Sequence, residues 1–383
     1  MNLDNQFDVI VIGGGLQGCS VALHLALEKK RVLIIERHTC GQHASGVNAG
    51  GLRRLNRLVE EIPLSMAAQE MWHDMEALVG SDCGFSPTGQ VRIAGNMEDL
   101  ATLEARAQKV RSLGFQHEEM INAEELRKMV PAIGNRGAGA LICRGDGFAD
   151  PALTCLAFRL RAEDLGVTIR QKTAVTRIDK TDHNWRVHAG AHSFEAPIVV
   201  NCAGAWGDRI AAMADEHTSL KKVALALMVT ARLPHFIDPV IGHASRKLSF
   251  KQMANGTLVI GGALRGLLTE NREDTLVDFP QMKESAETVC SFFPFLENLP
   301  VVRCWAGIEG TTPDHLPIIG AGKKAPGIFH AFGFSAHGYQ LSPVIGRVMT
   351  DLICRGRTDF DLDAFRIDRF SWPDREGGCK NYG

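Results

Sequence analysis

Residues 8 to 36 set an apolar run, a glycine turn, a helical stretch, a second apolar run and an acid in direct succession, an order that few folds accept. Asp8 to Ile12 reads as a buried parallel strand, because an all-apolar run of this length suits a strand covered on both faces. Gly13, Gly15 and Gly18 follow in G-x-G-x-x-G spacing. Leu16 to Lys29 then carries helical periodicity through Leu16, Val21, Leu23, Leu25 and Ala26, and Arg31 to Ile35 is a second buried strand that ends on Glu36. Gly13 permits the tight turn, Gly15 lets a pyrophosphate approach the backbone, and Gly18 lets helix and strand pack closely. The helix N-terminus, with Leu16 and Gln17 in its first turn, faces the phosphate charge. Glu36, 18 residues beyond Gly18 and followed by Arg37, is placed to accept hydrogen bonds from both ribose hydroxyls. An acid there argues against a 2′-phosphate and hence against NADP; the motif by itself leaves FAD and NAD open.

A chain of 383 residues can bury a substantial core, and two domains are the natural expectation. Its 45% hydrophobic and 22% charged residues are ordinary for a globular enzyme. The net charge of -2 gives no electrostatic reason for nucleic acid as a partner, and 2 Tyr and 5 Trp offer no stacking platform for bases. The 10 Cys lack paired metal-binding spacing, Met1 to Phe7 is polar, and no continuous apolar run reaches the ~20 residues of a spanning helix. These features predict a reduced, cytoplasmic protein without a metal site.

His43 to Arg54 is rich in small residues, which let backbone press against a large planar ligand. Here the sequence resembles the D-amino-acid oxidase superfamily, in the branch with glycine oxidase, sarcosine oxidase and the flavin subunits of opine and hydroxyproline dehydrogenases. Four further stretches match in family order: Gly147 to Pro151, Thr173 to Ile178, Ile198 to Trp206, and Trp305 to Gly320 followed by Gly333 to Pro343. The resemblance implies an α/β fold, with a Rossmann-like FAD-binding domain (1–80, 145–220 and 304–383) and an α+β substrate domain on an antiparallel sheet (81–144 and 221–303). It implies that Ser45 touches the pyrophosphate, that Asn48, Ala49, Gly50 and Gly51 border the flavin ring, and that the Val175 backbone meets the adenine. Cys202, Ala203, Gly204 and Trp206 mark a return to the cofactor, as does Gly307. Ile328 to Phe332 reads as a strand and Gln340 to Cys354 as an apolar helix, with Pro343 in its first turn. By resemblance, Gly333, Phe334, Ser335, Ala336, His337 and Gly338 contact the flavin, and the helix end favours negative charge at its N1–C2=O edge.

The inserted stretches have their own texture. Gln90 to Ala94 reads as a strand and Asn96 to Leu113 as a charged helix, while Leu225 to Ala231, Lys247 to Lys251 and Thr257 to Leu264 alternate like antiparallel strands with one wet face. Gly320 to Lys324 mimics a second phosphate loop but lacks the helix and further glycine. The tail after Trp372 is polar and reads as loose.

The family oxidises a C–N bond beside a carboxylate by hydride transfer to flavin N5, leaving an imine that hydrolyses. Many relatives hold the carboxylate with an Arg where this chain has Glu309, and those with covalent flavin carry a Cys where it has Gly307. FAD is therefore expected to be non-covalent. Arg54 is the expected carboxylate ligand, with Arg53, Arg246 and Arg265 as further candidates. Glu309 either faces the pocket, favouring cationic substrates such as arginine-derived opines, or pairs with a neighbouring Arg. His337 has a catalytic or a purely structural role. The Trp305 to Gly310 variant and Ser249 to Gln252 look most like flavin subunits of heteromeric dehydrogenases, which implies oxygen, a quinone or a partner subunit as electron acceptor and attachment to the inner membrane through partners. A 2-hydroxy-acid or polyol-phosphate dehydrogenase, and a flavin subunit active only in a complex, remain alternatives.

Overall fold

The computed structural model describes residues 6–262, 264–324 and 326–370; the tail after Trp372 lies outside them. Val9–Ile12 runs parallel between Val32–Ile35 and Ile198–Asn201 at the centre of a six-stranded sheet. Thr168–Arg170 extends one side, and Ile328–Phe332 with the antiparallel Ile318–Ala321 extends the other. The central strand is apolar throughout because both faces are covered. Val9 and Val11 enter the core shared with helices Leu16–Leu27, Pro151–Asp164 and Gly338–Arg355. Ile10 and Ile12 pack against a three-stranded antiparallel sheet through Ile178, Trp185, Val187 and Phe194.

The helix Leu16–Leu27 lies so close to the turn that a Cβ on Gly18 would stand 1.9 Å from the Gly13 carbonyl oxygen. Pro151–Asp164 starts as its sequence predicts, with the Asp150 carboxylate accepting from the Ala152 and Leu153 N–H groups. Gly338–Arg355 begins two residues earlier than the sequence suggests, so Pro343 lies beyond its first turn. The carbonyl that Pro343 cannot serve, on Tyr339, accepts instead from the Ser342 hydroxyl at 2.9 Å.

An eight-stranded sheet runs in the order Val301–Thr311, Lys221–Thr230, Leu258–Gly261, Ser249–Gln252, Val240–His243, Gln90–Ala94, Gly139–Cys143, Glu119–Asn122. It is antiparallel except where Val240–His243 pairs with Gln90–Ala94 in parallel. Its core includes Val91, Ile93, Phe250 and Ile260 packed with Met282, Val289 and Phe292 of helix Phe279–Phe292. The expected domain boundary at 303/304 falls inside Val301–Thr311, a strand hydrogen-bonded to Lys221–Thr230 from end to end. Residues 304–311 thus belong to this second sheet, and their far end meets the turn that follows Ile328–Phe332 through a Thr311–Phe334 bridge. Among the described residues, no helix is long and apolar enough to cross a membrane, and no cluster of His, Cys, Asp and Glu could hold a metal ion.

Candidate functional site

Residues from both sheets line one continuous cavity of about 920 Å³. At one end lies the glycine turn. Gly13, at φ +108°, passes under the Cys202 carbonyl, where a Cβ would stand 2.4 Å from the oxygen. A Cβ on Gly15 would meet the Ser45 hydroxyl at 3.0 Å, and that hydroxyl accepts from Leu16 N–H at 2.9 Å, at the mouth of the helix. The Gln17 amide donates to the Gly338 carbonyl at 2.6 Å, tying the turn to the helix that begins there. Glu36 borders the cavity while accepting from Gly14 and His38 N–H groups, each at 2.7 Å. Arg37, Val175, Cys202, Ala203, Gly204 and Trp206 complete this end. Gly18 is not on the wall; its place is the helix–turn contact.

The middle is shaped by two loops. Asn48, Ala49 and Gly51 line it, with the Asn48 side chain folding its own loop by donating to Ala44 and Ser45 carbonyls and accepting from Gly50 N–H. Gly50 faces away: at φ +69° it presses on the Ala149 carbonyl, where a Cβ would come within 2.1 Å. Opposite stand Gly307 and Gly333, Phe334, Ser335, Ala336, His337 and Gly338. Ser335 and Ala336 hold left-handed backbone at φ +52° and +69°, strain that concentrates at functional turns. The unpaired N–H groups of helix Gly338–Arg355 open behind them.

At the far end Arg53 and the expected carboxylate ligand, Arg54, turn to different partners. Arg54 is off the wall; its Nε and backbone N–H both bind the fully buried Asp146, at 3.0 and 2.8 Å. Arg53 lines the cavity instead. It donates to the Leu55 and Asn56 carbonyls and, at 2.8 Å, to His337 Nε2. That bond leaves His337 Nδ1 as the donor to Glu61, at 2.7 Å, an assignment that follows from Arg53 having only protons to give. Burial, partly opposed by Glu61, holds the imidazole down to about 4, so it is neutral and has no free nitrogen. His337 is therefore a link between Glu61 and Arg53. Arg57 and Gln340 complete the buried network.

Arg92 was not singled out from sequence. It lines the same end, donates to the Ala244 carbonyl, and has no carboxylate partner among the described residues. Burial, with Arg53 and Arg106 nearby, brings its guanidinium down to about 10. Asn56, Gln90, Arg246 and Arg265 also reach the wall. Glu309 lines it too and forms no ion pair among the described residues; burial pushes its carboxyl up to about 7 against a hydrogen bond from the Ala336 backbone. The site thus offers a glycine turn at a helix N-terminus, a middle walled by small residues, and a chamber where Arg53 and Arg92 form no ion pair among the described residues and one carboxyl is poised near neutrality.

A family model described as FAD dependent oxidoreductase (DAO) matches residues 8–352. Glycine oxidase of Geobacillus kaustophilus is 28% identical over 96% of this chain and 98% of its own length. Mitochondrial sarcosine dehydrogenase of Mus musculus is 26% identical over 96% of this chain, which spans 42% of that protein. The crystal structure of L-proline dehydrogenase from P. horikoshii superposes with a TM-score of 0.87 at 24% identity, covering 96% of this chain and 98% of the other; this likeness speaks for the fold.

Proposed function

The chain belongs to the FAD dependent oxidoreductase family, and on that premise we propose that it oxidises the C–N bond of an amino acid or secondary amine of the imino-acid or opine type. FAD is its cofactor, and the residues present fit it: the glycines at 13 and 15 leave the space a phosphate needs, and the Glu36 carboxylate borders the cavity beside the turn. When bound, FAD supplies the hydride acceptor.

The observation that carries the substrate class is the pair Arg53 and Arg92, two half-buried guanidinium groups facing one chamber, neither in an ion pair with a carboxylate among the described residues. Buried charge is stable only when paired, so an anionic ligand is the natural complement. Arg53 is held by two carbonyls and His337, which fixes the direction of its remaining donors. A carboxylate so anchored orients the adjacent carbon. Glu309, near half-ionised at neutral pH, can take a proton from the substrate ammonium at its carboxylate oxygen, leaving the neutral amine that C–H transfer requires. The N-terminus of the helix Gly338–Arg355, which follows Ser335 and Ala336 along the cavity wall, would favour negative charge on a bound flavin through its positive dipole end.

The test is anaerobic bleaching of the bound FAD by a panel of amino acids, N-methyl amino acids, opines, their decarboxylated amines and 2-hydroxy acids. Bleaching confined to carboxylate-bearing amines is expected. Bleaching by 2-hydroxy acids alone, or equally by the decarboxylated amines, overturns the reading.

A further inference from the structure

We propose that Glu273, at the tip of the hairpin Leu267–Leu268/Thr275–Leu276, is the catch of a clasp that retains FAD. The hairpin pairs beside the eight-stranded sheet, yet its tip reaches residues that line the nucleotide end of the cavity. One carboxylate there collects three cations and an indole. Glu273 accepts from Arg37 at 2.6 Å, Arg209 at 3.1 Å, Lys222 at 3.1 Å and Trp206 Nε1 at 2.9 Å. The indole is clamped between charges, with the Arg37 guanidinium 4.0 Å and the Lys222 ammonium 4.4 Å from its ring centre.

The arrangement is built. Thr269 accepts from Asp274 N–H and donates to Asn271, whose side chain accepts from Glu273 N–H at 3.0 Å, so the tip is shaped before it docks. Lys222 donates also to the Arg272 carbonyl. Burial would raise the Glu273 carboxyl, but hydrogen bonds from Arg37, Lys222 and Trp206 overcome it and hold it down at about 2. Arg37, Trp206 and Arg209 line the cavity, whereas Lys222 and Glu273 belong to the other sheet's side. The carboxylate therefore joins the two walls of the nucleotide end, and cofactor leaving that end must loosen the joint. Such a clasp acts on the rate of FAD release, because its contacts are between protein groups.

The test follows release of FAD from the loaded protein by the rise in flavin fluorescence on dilution, for wild type, Glu273→Ala, Glu273→Gln and the control Glu270→Gln, an exposed acid on the same tip. Losing the catch is expected to speed release by about tenfold, what one charge-assisted hydrogen bond is worth. Wild-type release should quicken with salt, and release from both Glu273 variants should not. Glu270→Gln should behave as wild type. Wild-type rates in Glu273→Ala, or equal acceleration in Glu270→Gln, overturn the clasp. If neither Glu273 variant loads FAD, the wild type decides: release insensitive to salt overturns it.

Discussion

A guanidinium drawn partly out of water without a carboxylate is a cost that a ligand can offset, and Arg92, half-buried on the chamber wall, forms no ion pair among the described residues. Arg92→Ala should raise KM for carboxylate substrates by about tenfold to a hundredfold, the worth of one or two charge-assisted hydrogen bonds, and leave decarboxylated amines little changed. Steady-state kinetics on matched pairs of substrates would show it, and equal losses on both members of a pair would refute it. Arg54→Ala should behave otherwise. Asp146 is wholly buried and would be left as an unpaired charge, so stability should fall by on the order of 3 kcal/mol in urea unfolding, with no selective rise in KM. The contrast between Arg53 and Arg54 shows where sequence reading stops. Successive side chains in extended backbone point to opposite sides. Which of two adjacent arginines faces the chamber was settled by Asp146, 92 positions away. Arg92 was hidden for a like reason: its strand was legible, but its orientation over the cavity depends on pairing with Val240–His243.

Elements whose cause is local were legible to within a residue or two. The strand, turn and helix from Val9 to Leu27 rest on glycine spacing and apolar runs, and Pro151–Asp164 rests on Asp150 and Pro151 at adjacent positions. Asp150→Ala should cost about 1 kcal/mol, read as a lower Tm, because two helix N–H groups lose their acceptor. No change in Tm would mean that tertiary packing of Ala157 and Phe158 fixes that helix without its cap. What stayed illegible were features closed over long separations. The Glu61–His337–Arg53 link joins three segments, and Glu61 carries no sequence signal besides its position on a helical turn. The pairing across the expected boundary at 303/304 was hidden similarly, since nothing in Val301 to Thr311 announces that the whole strand pairs with Lys221–Thr230.

At the scale of the molecule, the cavity wall limits how the cofactor is held. A side chain at position 307 would drive a Cβ to 2.2 Å from Val47 Cγ2, so a tethering Cys has no room there. Cys202, the one cysteine on the wall among the described residues, has its thiol pushed well up by burial and is a poor nucleophile. Acid precipitation should therefore leave the flavin in the supernatant as FAD; yellow pellets would contradict this. The pH dependence of stability follows from two chamber groups of opposite sign. Glu309 titrates near 7 in the folded chain against an ordinary 4.5. Between those values the folded chain keeps a proton that the unfolded chain has released, so this group's contribution to stability falls as pH rises from 4.5 to 7. His337 titrates near 4 against an ordinary 6.5. Below 6.5 the unfolded imidazole takes a proton that the folded one refuses, so its contribution falls as pH drops from 6.5 to 4. Over 4.5 to 6.5 the two slopes oppose each other. Removing the carboxyl removes one slope: relative to wild type, Glu309→Gln should lose stability as pH falls from 7 to 4.5, and the difference should be level, in the variant's favour, above pH 7. Taking the difference between the two proteins cancels His24, His43 and His330, whose values burial also lowers. Urea midpoints measured at pH 5 and pH 8 decide the matter, and a difference that does not change between them would place Glu309 in contact with water rather than in the buried chamber.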